Sequence, residues 1–192
     1  MKPIDGGTDL RVGVVGLGSV IQGDDGAGAA AVALLEATWR LPSEVQVIDL
    51  GTPGPYLADH LLNYDFVVLL DTVRVAQPPG TVGRFGRAEL LAARVSGPRV
   101  SPHDPGVGEA LRQLAFQGAD PDVILIGVVP QSNAAGTELS QVVAQALPEM
   151  VAAVIDELAL QGCECRPRED PEPPRWWWSR GEARLAAPEV EN

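Results

Sequence analysis

The sequence predicts an α/β fold: a three-layer sandwich in which a five-stranded, mostly parallel twisted sheet with one antiparallel strand lies between helices. Three observations carry that reading. Short β-forming runs alternate with helical stretches, the pattern of a mainly parallel sheet. Residues 65–71 (DFVVLLD) and 122–128 (DVILIGV) are apolar almost throughout, as strands covered on both faces are. The segment 72–79 is too short for the crossover of about a dozen residues that parallel neighbours need, so the strand at 80–86 is expected to run against the others.

In chain order, residues 1–10 form a polar leader and 11–16 the first strand. The stretch 12–32, VGVVGLGSVIQGDDGAGAAAV, then carries the chain through Gly16-Leu17-Gly18, past two adjacent acids, Asp24 and Asp25, into an alanine-rich helix reaching about Thr38. Residues 44–50 (EVQVIDL) alternate as a second strand, and Gly51-Thr52-Pro53-Gly54 turns into a helix over 56–62. After the strands at 65–71 and 80–86 come a short helix near 88–93, an irregular segment at 94–104 and a helix at 105–116 with proline in its first turn. The strand at 122–128 precedes a helix over 137–160, which Pro148 is expected to kink or restart. Residues 1–165 are read as one domain. Residues 166–192 are read as a Pro/Trp-rich tail, because the last 31 residues hold five prolines, twelve charged residues and Trp176 to Trp178, with little periodicity. Three tryptophans are unusual in a free tail, and docking on the domain or on a partner is expected of them.

Composition excludes several functions. A net charge of −12, with Lys2 the single lysine, opposes nucleic acid and anionic membranes as partners. No apolar run is long enough to span a membrane and the N-terminus has no signal pattern, so a cytoplasmic protein is expected. A monomer is also expected. Cys163 and Cys165, one residue apart, make half a zinc site at most and are read as reduced thiols. A dinucleotide site fits only in part: Gly16-x-Gly18 follows a strand, but Ile21 stands where the fingerprint needs its third glycine, and two carboxylates would repel a pyrophosphate.

What remains is acidic. Asp25 follows the first strand and Asp71 ends the third, which puts both at the carboxyl edge of the sheet if those strands share a direction. His103 can reach that edge from its loop. Two carboxylates and one imidazole make a three-ligand site suited to a borderline divalent metal. The plainer readings are a helix cap for Asp24 or Asp25, stabilising by about 1 kcal/mol, local amide bonding for Asp71, and an ordinary loop residue for His103. His60, in mid-helix, is read as uninvolved.

Five separated motifs then agree with a known pattern. Gly16-Leu17-Gly18-Ser19 with Gly23-Asp24-Asp25-Gly26-x-Gly28, Asp49-Leu50-Gly51-Thr52-Pro53-Gly54, Leu69-Leu70-Asp71, Ser101-Pro102-His103 and Ile126-Gly127-Val128-Val129-Pro130 resemble, in order and spacing, the hydrogenase maturation proteases. The likeness covers residues 11 to about 165. It implies a cytoplasmic endopeptidase that removes a C-terminal extension from the precursor of a [NiFe] hydrogenase large subunit after nickel insertion, and a twisted five-stranded sheet between helices. It also implies that Asp25, Asp71 and His103 are the catalytic and metal-contacting residues, and that Asp24 is an acid not assigned to the metal. Ser19 stands where the family usually has Asn, and the tail has no counterpart.

The residues support compatible chemistry. No serine lies in a G-x-S-x-G turn and neither cysteine sits in a core loop, so cleavage would need a polarised carbonyl or a metal-activated water. Two acids and one histidine hold a resident metal weakly, which favours nickel supplied by the substrate as the only metal and no nucleotide. The competing readings are a nickel-checking chaperone without proteolysis and a Rossmann-like oxidoreductase.

Overall fold

The computed structural model describes residues 10–92 and 106–178. In chain order its elements are β1 (Val12–Leu17), α1 (Ala27–Thr38), β2 (Trp39–Arg40), β3 (Val45–Gly51), α2 (Leu57–Leu61), β4 (Phe66–Thr72), β5 (Val82–Gly86), α3 (Arg87–Ala92), α4 (Val107–Phe116), β6 (Asp122–Val128), α5 (Gln141–Leu160) and β7 (Arg166–Pro167). Single 3-10 turns, Gly23–Gly26 and Gly54–Tyr56, lead into α1 and α2. The main sheet has the order β3-β1-β4-β6-β5. Its first four strands are parallel, and β5 runs antiparallel to β6, as the short connection before it requires.

Alternation along the strands divides the core into two layers. Val12 and Val14 of β1, with Phe66, Val68 and Leu70 of β4, pack beneath α1 and α5. Val15, Leu17, Val67 and Leu69 point the other way, against α2, α3 and α4. Residues 66–70 are all buried because each face has its own helical cover. Helix α1 sits close to the sheet at Gly28, where an added Cβ would collide with the carbonyl oxygens of Leu17 and Leu70. Among the described residues, no helix is long and apolar enough to cross a membrane.

Some boundaries differ from the sequence reading. The last helix begins at Gln141 rather than 137, because Ser140 is extended (φ −60°, ψ 153°) and its amide is bonded outside the helix. Pro148 does not restart that helix, which runs through it to Leu160. Helix α4 starts at Val107, and Pro105 lies outside the described residues. The two-stranded antiparallel pair of β2 with β7 was not foreseen. It returns the chain to α1, where Arg168 Nε donates to the Glu36 and Trp39 carbonyls, meeting acceptors that the end of a helix leaves open. From there residues 170–178 continue along the domain, with Trp176 and Trp178 half-buried against the α1/α5 core.

Candidate active site at the switch point of the sheet

The strand order changes direction at β1, whose chain connection leads to β3 on one side while β4 lies on its other side. Outside the carboxyl ends of such strands, diverging connections leave a crevice. Here it is a cleft of about 190 Å³, lined by Gly18, Asp25, Gly51, Asp71 and Val107 among others. Gly18 has φ +109°, and an added Cβ would meet the carbonyl oxygen of Asp25. Only glycine lets the chain after β1 fold back so closely on the acid-bearing turn.

Both acids are held by their neighbours. Asp25 Oδ2 accepts from the Ser19 amide at 2.8 Å, and Oδ1 accepts from the Thr72 hydroxyl at 3.3 Å. The Thr72 amide donates to Asp71 Oδ1 at 2.6 Å. Thr72 therefore touches both carboxylates and fixes one relative to the other. Each acid is partly exposed and lines the cleft.

Asp24 has a different task. It is fully buried, and its carboxylate accepts from the amides of Gln131 (2.8 Å), Ser132 (2.9 Å) and Ser140 (2.6 Å) and from the Ser140 hydroxyl (2.9 Å). Backbone bonds run alongside, from Asp24 N to the Ser132 carbonyl and from Gly23 N to the Gly136 carbonyl. Burial pushes the Asp24 carboxyl up, but the hydrogen bonds from Ser132, Ser140 and Gln131 outweigh it and hold the group below the ordinary range. Asp24 does cap a helix, though not the one it precedes: its partners are the loop 131–140 and the start of α5. It staples the turn that carries Asp25.

Asp25 and Asp71 thus share one cleft, while His103 lies outside the described residues, as do 93–105 generally. Among the described residues no three His, Cys, Asp or Glu side chains group to hold a metal ion. Two carboxylates by themselves are hard oxygen donors and make a poor resident site for a transition metal. His60 is exposed on α2, and Cys163 is buried, its thiol pushed up by burial and by nearby Glu44, the opposite of an activated thiolate. Thr72, Asp24 and Asp49 were not assigned these tasks from sequence. Thr72 directly follows a strand-end acid, and Asp49 stands two residues before a turn glycine whose amide it accepts at 3.0 Å, a local signal of an Asx turn.

Fold and cleft together define an α/β protein with two carboxylates at a sheet switch point. A family model described as hydrogenase maturation protease matches residues 29–157. The chain is 33% identical over 168 residues to a hydrogenase expression/formation protein, HupD, of Thiocapsa roseopersicina, covering 85% of this chain and 74% of that one. It is 30% identical over 162 residues to the hydrogenase 2 maturation protease of Escherichia coli, covering 83% and 98%. The solved hydrogenase maturating endopeptidase HybD of Escherichia coli superposes with a TM-score of 0.76 at 30% identity, over 84% of this chain and 99% of that one. The chain belongs to the hydrogenase maturation protease family and is a peptidase of that family.

Proposed function

We propose that this chain removes the C-terminal extension of the nickel-loaded precursor of a [NiFe] hydrogenase large subunit, with the precursor's nickel as the recognition element. The observation that carries the reading is the pair Asp25 and Asp71 on one cleft, held to each other through Thr72. A nickel ion anchored by the precursor's own cysteines would gain oxygen ligands there, whereas the free chain would hold nickel weakly. His103 is the proposed nitrogen ligand. It precedes Gly106 and Val107 by three and four residues, and both of those line the cleft. Unfinished precursor would lack the ion and be passed over. The scissile carbonyl would be polarised, or water activated, at the ion that the substrate brings.

The test incubates the purified chain with nickel-loaded and nickel-free precursor and measures the product mass. Shortening of the loaded form alone is expected. Asp25→Asn or Asp71→Asn should slow it by at least about a hundredfold, and His103→Ala should abolish it while the fold is kept. Equal cleavage of both precursors would sink the metal-sensing step. Tight binding of the loaded precursor without any mass change would replace the peptidase reading with that of a maturation chaperone.

A further inference from the structure

The tail reaches the strand that leads into the cleft wall. Trp177 is 57% exposed, yet its indole Nε1 donates to Asp49 Oδ2 at 2.8 Å. The other oxygen of Asp49 accepts from the Gly51 amide at 3.0 Å, and the Gly51 carbonyl accepts from the Gly18 amide at 2.8 Å. These bonds fall on an irregularity in the sheet. Gly16 pairs with Asp49 and Leu17 with Gly51, so Leu50 is an extra residue in β3 and the ladder shifts there. A bulge bends its strand and re-aims the chain beyond it. Here that chain is the turn Gly51-Thr52-Pro53-Gly54, all four residues of which line the cleft. The tryptophan is itself held, since Trp177 and Trp178 meet edge to face at 5.6 Å and Trp176 and Trp178 lie 5.3 Å apart.

We infer that Trp177 is a positioning residue that acts through Asp49: the tail braces the bulged end of β3 and so fixes the cleft wall that meets the precursor. The brace lies on the far side of β1 from Asp71, and it bears on the turn Gly51-Thr52-Pro53-Gly54 rather than on an acid directly. It therefore sets how well the precursor fits rather than how fast the bound precursor reacts. A cleft wall held from one sequence-distant residue is also open to control, because whatever drew the tail away would loosen the wall.

That this wall faces the precursor rests on the proposed function, but the brace itself can be read without turnover. In the full-length chain, Trp177→Phe keeps a ring and removes the indole N–H. Hydrogen exchange at the amides of Gly51 and Gly18 should speed up about fivefold, the change expected for one net hydrogen bond. KM for the precursor should rise by a similar factor with kcat within about twofold. Asp49→Asn should produce the same or a larger effect, and adding Trp177→Phe to it should change nothing further, because the tryptophan acts through that carboxylate. Unchanged exchange at Gly51 in Trp177→Phe, additive effects in the double variant, or a fall confined to kcat would each overturn the inference. Should the unaltered chain leave every precursor uncut, the functional reading fails and the exchange measurements alone decide the brace.

Discussion

Asp24 and Asp25 are chemically identical neighbours with opposite tasks, and their surroundings account for the difference. One is sealed inside four hydrogen bonds, the other faces a cleft. Asp24→Ala would strand three backbone amides at the loop 131–140 and the start of α5, and should destabilise the domain by about 3 kcal/mol or more in chemical denaturation. A loss below about 1 kcal/mol would mean that water satisfies those donors. The same carboxylate contributes to the acid limb of stability. Its folded pKa is depressed, so between that value and the unfolded value of about 3.9 the unfolded chain binds more protons. Its contribution is complete above the unfolded value and is lost as pH falls through the folded one. Asp24→Asn should therefore flatten the decline in stability measured from pH 5 downward; an unchanged slope would show that other acids govern it. From sequence, Asp25 and Asp71 were legible as cleft acids because one lies in the loop after the first strand and the other at the end of a buried strand. Asp24's partners were not, since they lie more than a hundred residues away and nothing local distinguishes the two acids.

The elements themselves followed from periodicity wherever one face or both were buried. Continuous apolar runs became β4 and β6, and a connection too short for a crossover became the antiparallel edge β5. Reading failed where long-range bonds override local preference. Residues 137–140 have helical neighbours, but the Asp24 cage takes the Ser140 amide and the helix starts one residue later. The pair β2–β7 is two residues on each side, too short for any period to show. Helix α1 offers the clearest element-scale test. Its closeness to the sheet depends on Gly28 lacking a Cβ, so Gly28→Ala must push the helix from β1 and β4 or distort the turn beneath it. Although alanine is the better helix former, overpacking should dominate, and the variant should lose about 1–3 kcal/mol. An alanine variant as stable as the parent would show that α1 can slide without loss.

At the scale of the whole molecule, the domain and its Trp-rich tail contribute differently. The two-layer core is complete without residues 171–178: both layers are built from the strands and α1 to α5, and Trp176 and Trp178 only pack against one of them. Two of the contacts that tie the segment after α5 to the fold, β7 on β2 and Arg168 on the end of α1, lie before residue 171. Truncation after Asp170 should therefore preserve a single cooperative thermal transition. It would remove two half-buried indoles and the bond from Trp177 to Asp49, about 2 kcal/mol together, and lower Tm by roughly 5 °C. A cut after Cys165 also removes Arg168 and re-exposes carbonyls at the end of α1, so it should lower Tm further. The order of the two cuts is the decisive part. If truncation after Asp170 abolishes cooperative unfolding, the tryptophans belong to the core and the domain extends through them. If both cuts leave Tm unchanged, the tail is not docked in solution, and Asp49 must hold the Gly51 turn without help from Trp177.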